Sequence, residues 1–177
     1  MWIYKCINKL DKDSPRFVLG EVSDKTKSPL VCFGINPSTA VPKRLDRTLT
    51  QVQKRAKRSG YDGWIMFNLY PQRATNPINL HKELENNIHR KNLRAIKKIF
   101  SSYPNSTVWA AWGGVINKRA FLKDCLRDIL SVVPKTVLWV QISDNKHPHH
   151  PLYLKKDLPF KKFYIDKYLS NMGISNE

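Results

Sequence analysis

The stretch "PLVCFGINPSTA", residues 29–40, decides the fold. Its first half is a continuous apolar run, which is typical of a parallel strand that is covered on both faces. The run ends abruptly at Gly-Ile-Asn-Pro, and two hydroxyl residues follow. Three further apolar runs have the same character: "GWIMFNLY" at 63–70, "STVWAAWG" at 106–113 and "KTVLWVQIS" at 135–143. The sequence therefore predicts four buried strands.

Apolar residues recur at helical spacing between these runs. Leu49, Val52 and Ala56 share one face after the first run, and Gly60 is placed to end that helix. The later stripes are Leu84, Ile88, Ile96 and Phe100, then Leu122 to Val133, and finally a stretch from Pro159 to about Met172. This spacing predicts a helix after each strand.

Alternating strands and helices predict a three-layer α/β/α fold with a central, mostly parallel four-stranded sheet. Two leading strands, "MWIYKCI" and "RFVLGEV", are joined by a charged turn and predict an antiparallel hairpin at one edge of this sheet. No linker interrupts the chain of 177 residues, so we expect a single domain over 1–177.

The charge predicts a polyanionic partner. Lysine and arginine number 31 against 14 acidic residues, for a net charge of +17. The alternative is a surface that is merely rich in lysine. Because arginines occur among the clusters at 43–58 and 90–98, we favour nucleic acid, with DNA preferred to RNA. The residues predicted to contact phosphates are Lys43, Arg44, Arg47, Lys54, Arg55, Lys57, Arg58 and Arg73.

Other features narrow the class of protein. Three widely spaced cysteines indicate neither disulfides nor a zinc site. Neither a signal-peptide core nor a membrane-spanning run occurs, so we expect a cytoplasmic protein without membrane contact, and we favour a monomer. The glycine-rich nucleotide motifs are missing, so we expect no cofactor.

Polar residues follow the predicted strands, where ligands bind in open α/β sheets. Asn36 and Asn68 end two strands; an Asn amide can hold a water, read a base edge, or simply cap a turn. Gly113 ends a third strand, and a histidine-rich loop follows the fourth. The other predicted substrate contacts are Gly34, Ile35, Pro37, Ser38, Tyr70, Leu152 and Tyr153.

The loop "DNKHPHHPLYL" admits a metal or a hydrogen-bonding interpretation. His147, His149 and His150 have no cysteine or acidic cluster beside them, so we expect no metal. A histidine here can instead donate a hydrogen bond to an anion. Asp46 and Asp144 are the only carboxylates expected near the strand ends.

The segments "GINPSTA", "NLYPQRATNP", "AAWGG" and "HPLYL" resemble the bacterial and phage family known as domain of unknown function 1643, from about Arg16 to Leu154. More distantly, they resemble the uracil-DNA glycosylase superfamily, and "GINP" its mismatch-specific uracil/thymine branch. This second resemblance implies that Asn36 positions the hydrolytic water and that Asn68 reads the base. It also implies that His150 stabilises the leaving base and that Leu152 or Tyr153 wedges into the duplex.

Two departures from the superfamily affect function. Ser38 stands where the uracil-specific branch has a tyrosine, and the His-Pro loop is shorter. We therefore keep three interpretations. The first is a nucleic-acid-binding protein that acts on a flipped base by N-glycosidic hydrolysis. The second is a catalytically inactive DNA- or RNA-binding protein of a mobile element or phage-related system. The third is a protein that mimics or partners a repair enzyme.

Overall fold

The computed structural model describes residues 1–9, 11–143, 146–155 and 157–174. Three short 3-10 turns occur at Pro77–Asn79, Gly113–Lys118 and Pro151–Tyr153. The strands and helices are, in chain order, β1 (Trp2–Cys6), β2 (Arg16–Glu21), β3 (Leu30–Gly34), α1 (Arg47–Arg58), β4 (Trp64–Asn68), α2 (Asn86–Ser102), β5 (Thr107–Ala110), α3 (Phe121–Val132), β6 (Leu138–Gln141), β7 (Lys161–Lys162) and α4 (Ile165–Asn171). Within the described ranges, no helix is both long and apolar enough to cross a membrane.

One mixed sheet joins the strands in the order β1-β2-β4-β3-β5-β6-β7. The four apolar runs form its parallel centre, and the predicted hairpin lies at one edge. The expectation of four central strands and an edge hairpin was incomplete, because the sheet has seven strands among the described residues and β7 was not predicted. The hairpin hydrogen-bonds to β4 through β2, and β7 pairs antiparallel with β6 at the opposite edge.

Strand β7 occupies chain that the sequence assigned to a helix starting at Pro159. The backbone of Lys161 and Lys162 pairs with β6, and the Phe163 amide donates to the Trp139 carbonyl at 2.8 Å. The helix that follows is confined to Ile165–Asn171. Short-range periodicity cannot reveal this pairing, since the partner strand lies about twenty residues away in the sequence.

Buried side chains alternate between the two faces of the sheet. Phe33 and Phe67 pack with helices α2 and α3 in one core cluster. Cys32 and Met66, their neighbours in the same strands, pack with α1 in the other. Two helical layers therefore cover the sheet, which accounts for strands that are apolar at nearly every position.

Helix α1 ends just before Gly60, as its sequence predicts, and an aspartate caps its start. The Asp46 carboxylate accepts a hydrogen bond from the Leu49 amide at 2.9 Å and caps the first turn. Gly60 follows the last turn with a φ of +77°, a conformation that costs glycine little. Helix α2 begins only at Asn86, because a 3-10 turn and a loop precede it.

The order of the parallel strands creates a crevice. Strand β3 has β4 as its neighbour on one side and β5 as its neighbour on the other side. The chain passes from β3 to β4 first and only later to β5, so it changes direction across the sheet. Helix α1, which follows β3, and helix α3, which follows β5, pack on opposite faces of the sheet. Such a switch in direction opens a ligand-binding crevice at the carboxyl ends of the two strands.

Candidate functional site

A cavity of about 570 Å³ lies at this crevice. Its volume falls in the range of small-molecule sites. The ends of β3, β4 and β5, the start of α1 and the histidine loop all contribute to its wall. Of the predicted catalytic and substrate-contacting residues, the following line it: Gly34, Ile35, Asn36, Ser38, Asn68, Gly113, His150, Leu152 and Tyr153.

Asn68 places an unsatisfied amide in the cavity wall. The residue is 2% exposed, and neither its Nδ2 nor its Oδ1 has a hydrogen-bond partner among the described residues. Its backbone carbonyl is satisfied, because it accepts from Asn92 Nδ2 at 2.9 Å. Buried amides are almost always hydrogen-bonded, and leaving one unpaired is costly. The arrangement suits a ligand that supplies both an acceptor and a donor.

Gly34 keeps space beside this amide. A Cβ atom at position 34 would lie 2.7 Å from Met66 Cε and 3.0 Å from Asn68 Oδ1. Any larger residue would therefore crowd the amide oxygen. The glycine in "GINP" is explained by this close approach to its neighbour strand.

The Asn36 amide is committed on its nitrogen side. Nδ2 donates to the Ala74 carbonyl at 2.6 Å and to the Pro37 carbonyl at 3.1 Å. Its Oδ1 forms no hydrogen bond within the described part of the chain. Because both donors are in use, Asn36 is poorly suited to bidentate reading of a base. It can still hold a water molecule through Oδ1.

His150 provides a neutral hydrogen-bond donor. Its Nδ1 accepts from the Leu152 amide at 3.4 Å, which leaves the proton of the neutral ring on Nε2. Burial lowers the pKa of His150, although the nearby Asp46 charge acts in the opposite direction. At neutral pH the ring is therefore uncharged and can donate from Nε2.

His147 has a supporting role. Trp112 Nε1 donates to the Tyr168 hydroxyl at 3.1 Å, and that hydroxyl shares a hydrogen bond with His147 Nδ1 at 2.9 Å, while Asn117 Nδ2 donates to His147 Nε2 at 3.1 Å. Burial and the neighbouring Lys146 and Lys123 charges lower the pKa of His147. His150 therefore lines the cavity, whereas His147 connects the loop to α4.

Two predicted contacts lie away from the cavity wall. Tyr70 is fully buried; its hydroxyl accepts from the Glu85 amide at 3.2 Å and donates to His81 Nδ1 at 2.8 Å. Burial raises the pKa of this hydroxyl to about 12. Pro37 is buried too, and its carbonyl accepts from the Ala74 amide at 2.9 Å. Neither residue is among those that line the cavity.

The predicted basic contacts divide into two groups. One group is exposed on the turn before α1 and along that helix, and it comprises Lys43, Arg44, Arg47, Lys54, Lys57 and Arg58. The other two are committed to the protein itself. Arg55 is 6% exposed and donates to the carbonyls of Leu158 and Lys155. Arg73 donates to the carbonyls of Ser14 and Ser38.

Carboxylates and metal ligands are sparse at the cavity. Asp46 is the one acidic residue among the described lining residues, and its Oδ1 already caps α1. Asp144, the second carboxylate predicted there, lies outside the described residues. Across the described ranges, no group of three or more His, Cys, Asp or Glu side chains is close enough to hold a metal ion.

Sequence reasoning missed Arg16, which lines the cavity with a side chain only 2% exposed. Arg16 begins β2, and β2 runs antiparallel to β4, so its first residue lies near the carboxyl end of β4. The signal was present in the predicted hairpin. An antiparallel edge strand starts where its parallel neighbour ends, and an arginine at that start can reach the site.

Fold and site together define an α/β protein with a ligand cavity at the carboxyl edge of a mixed sheet. The wall of that cavity offers amide, imidazole and guanidinium groups. A family model described as "Protein of unknown function (DUF1643)" matches residues 16–152, and the chain belongs to this family. Neither the curated proteins nor the solved structures contain a significant match.

Proposed function

We propose that the protein binds nucleic acid, DNA in preference to RNA, and takes an extruded base into the cavity, where its N-glycosidic bond is hydrolysed. The fold would then be a variant of the uracil-DNA glycosylase fold. The unpaired Asn68 amide carries the proposal, because a buried donor and acceptor side by side suit the edge of a nucleobase. Uracil and thymine present such an edge through N3–H and O4.

The cavity also offers groups for the reaction. A water held by Asn36 Oδ1 would attack the sugar C1′, forming a C–O bond as the C1′–N bond breaks. The bonding electron pair leaves on the base, and the His150 Nε2 proton donates a hydrogen bond to that anion. The water's surplus proton passes to solvent, since an amide cannot accept it, and turnover should therefore be slow.

The surface around the cavity suits a nucleic-acid partner. Lys43, Arg44 and Arg47 are exposed on the turn before α1 and on its first turn, which lines the cavity. Tyr153 is 77% exposed at the cavity, beside the partly exposed Leu152. Basic side chains would hold phosphates while one of these two apolar side chains fills the gap left by the extruded base.

A catalytically inactive binding protein is the second candidate, and one observation favours it. Asp46, the lone carboxylate on the described part of the wall, is used by the Leu49 amide. If the capping role keeps Asp46 from acting as a general base, the same cavity would bind an extruded base and leave its glycosidic bond intact. A role in a mobile element or phage-related system would fit that behaviour.

The test uses duplex oligonucleotides that contain uracil, a thymine mismatch or hydroxymethyluracil. Abasic products are detected by alkaline cleavage, and binding is titrated at several salt concentrations. We expect strand cleavage on at least one substrate, its loss in Asn36→Ala, and binding whose log K falls linearly with log salt. Binding without product on every substrate would favour the inactive protein. No salt-dependent binding at all would contradict the nucleic-acid proposal itself.

A further inference from the structure

Arg16 is a buried cation on the cavity wall with bonding capacity to spare. Its Nη1 donates to the Ala40 carbonyl at 2.9 Å, but its Nε has no partner among the described residues. A guanidinium has five N–H donors in a fixed fork that matches the oxygens of a phosphate or carboxylate. The one protein bond formed by Arg16 leaves most of that fork for another acceptor.

A second guanidinium lies beside it. Arg73 Nη1 donates to the same Ala40 carbonyl at 3.3 Å, so two cations share one neutral acceptor. Within the described residues, neither Arg16 nor Arg73 forms an ion pair with a carboxylate. Burial and, to a smaller extent, the Arg73 charge together lower the pKa of Arg16 to about 10. Arg16 is thus charged at neutral pH without a direct ion-pair partner among the described residues.

The start of α1 adds to this positive potential. Arg47, Thr48 and Leu49 line the same cavity, so the first turn of a twelve-residue helix borders it. Asp46 opposes the effect, because its carboxylate lies on the wall and raises the pKa of Arg16. One carboxylate against two guanidiniums, those of Arg16 and Arg47, leaves the described wall net positive.

We infer that Arg16 forms an anion-binding subsite in this cavity and that the subsite takes a phosphate group. A buried cation without a counter-ion is costly, and a bound anion would offset that cost. Phosphate fits better than a carboxylate, since its several oxygens can accept from the Arg16 fork and from a neighbouring cation together. Because Arg16 is 2% exposed, the phosphate must enter the cavity to reach it.

The subsite also specifies the ligand. If the proposed function is right, on which this step rests, Asn68 and Arg16 bind two parts of one molecule in one cavity. A base edge and a phosphate on the same molecule make a nucleotide unit. The cavity would then bind the base together with its own 5′ phosphate, whether this is a free nucleoside monophosphate or a nucleotide extruded from a strand.

Three small probes test the subsite: inorganic phosphate, deoxyuridine and deoxyuridine monophosphate. Each is titrated at constant ionic strength while the thermal midpoint and the ¹H–¹⁵N signal of Arg16 Nε are recorded. We expect phosphate to raise the midpoint above that in chloride and to shift the Arg16 signal. The monophosphate should bind at least about tenfold more tightly than deoxyuridine. A chain-internal deoxyuridine in a single-stranded oligonucleotide distinguishes a strand from a free nucleotide.

Substitutions provide the comparison. Arg16→Gln should reduce the monophosphate preference to about threefold or less, which is within the scatter of a neutral contact. Lys135→Gln is the matched control and should leave the preference unchanged. Lys135 is exposed and precedes the amino end of β6, whereas the cavity lies at the carboxyl ends of the parallel strands. If Arg16→Gln does not fold, the shift of the Arg16 Nε signal on addition of phosphate to the wild-type protein still tests the subsite.

The possible failures are distinguishable. An Arg16 signal that phosphate leaves unmoved, or equal affinity for deoxyuridine and its monophosphate, would overturn the subsite and leave base recognition standing. Phosphate binding that shifts the Arg16 signal, with no gain in affinity from an attached base, would support the subsite and contradict base recognition at Asn68. Tighter binding of the strand than of the free monophosphate would support a strand-borne nucleotide.

Discussion

Replacing Asn68 with leucine should stabilise the protein and abolish binding of a base. Leucine has the same number of side-chain heavy atoms and the same branching at Cγ, so Asn68→Leu changes polarity far more than shape. The Asn68 amide has no partner for Nδ2 or Oδ1 among the described residues. Replacing unpaired polar atoms by apolar ones of similar shape removes a desolvation penalty and forfeits no hydrogen bond.

The size of the effect follows from these two atoms. Each unpaired buried polar group costs about 1–3 kcal/mol, so together they destabilise the fold by roughly 2–6 kcal/mol. The bulkier methyl groups would press on Met66 and Gly34, which offsets about 1–3 kcal/mol of the gain. A net gain of about 2 kcal/mol should raise the thermal midpoint of a chain of this length by about 4–8 °C.

Asn92→Leu is the matched control. Asn92 is also fully buried, but its Nδ2 donates to the Asn68 carbonyl at 2.9 Å and more weakly to the Leu69 carbonyl at 3.5 Å. The same chemical change at position 92 removes these hydrogen bonds, leaves the Asn68 carbonyl unpaired and also removes an Oδ1 that has no partner among the described residues. Asn92→Leu should therefore melt below Asn68→Leu.

Calorimetry or circular dichroism of both variants, with deoxyuridine monophosphate titrated into each, measures the two effects together. We expect Asn68→Leu to melt above the wild type and to lose affinity by at least about tenfold. If Asn68→Leu melts below the wild type, the Asn68 amide is satisfied without a ligand. The reasoning from its unpaired atoms would then be refuted.

Three further substitutions test separate parts of the site. Gly34→Ala should weaken nucleotide binding several-fold, because its Cβ would lie 3.0 Å from Asn68 Oδ1; unchanged affinity in isothermal titration would contradict this. Burial lowers the pKa of His150 below its usual 6.5, so the contribution of this residue to stability is complete above pH 6.5 and is lost as pH falls. His150→Gln should therefore reduce the change of the free energy of unfolding with pH, measured by urea unfolding between pH 5 and 7. Lys57→Gln should reduce the salt slope of DNA binding by about 0.9 with an unchanged thermal midpoint, whereas Arg55→Gln should lower the midpoint; the reverse pattern would contradict the division of the basic residues.

The location of the site could be predicted because it depends on strand ends. Parallel strands finish at one edge of the sheet, so Asn36, Asn68 and Gly113 had to lie near one another once four apolar runs were recognised. The fold of the centre follows from the same runs. The hairpin could be predicted as well, because its two strands are adjacent in the sequence.

The remaining features depend on contacts that local sequence does not encode. Tyr70 follows a strand end as Asn68 does, yet its ring packs against Phe121 at 4.9 Å between centroids and lies in the core. In the sequence, Arg55 resembles the exposed basic residues of α1, but its guanidinium donates to carbonyls about a hundred residues away. Tertiary packing decides whether a basic side chain is exposed and able to contact a phosphate or is hydrogen-bonded within the protein.

The strongest reason to assign function to this cavity is that its wall lowers the stability of the protein when no ligand is bound. Among the described residues, the buried Asn68 amide has no hydrogen-bond partner and the buried Arg16 guanidinium has no ion-pair partner. Both features lower stability, and apolar side chains would remove either cost. Asn68 belongs to β4 and Arg16 to β2, so no shared local motif forces them to occur together. They nevertheless line one cavity at the switch point of the sheet. A ligand with a base edge and a phosphate would satisfy both, which is why we expect the two substitutions to change affinity for the same molecule.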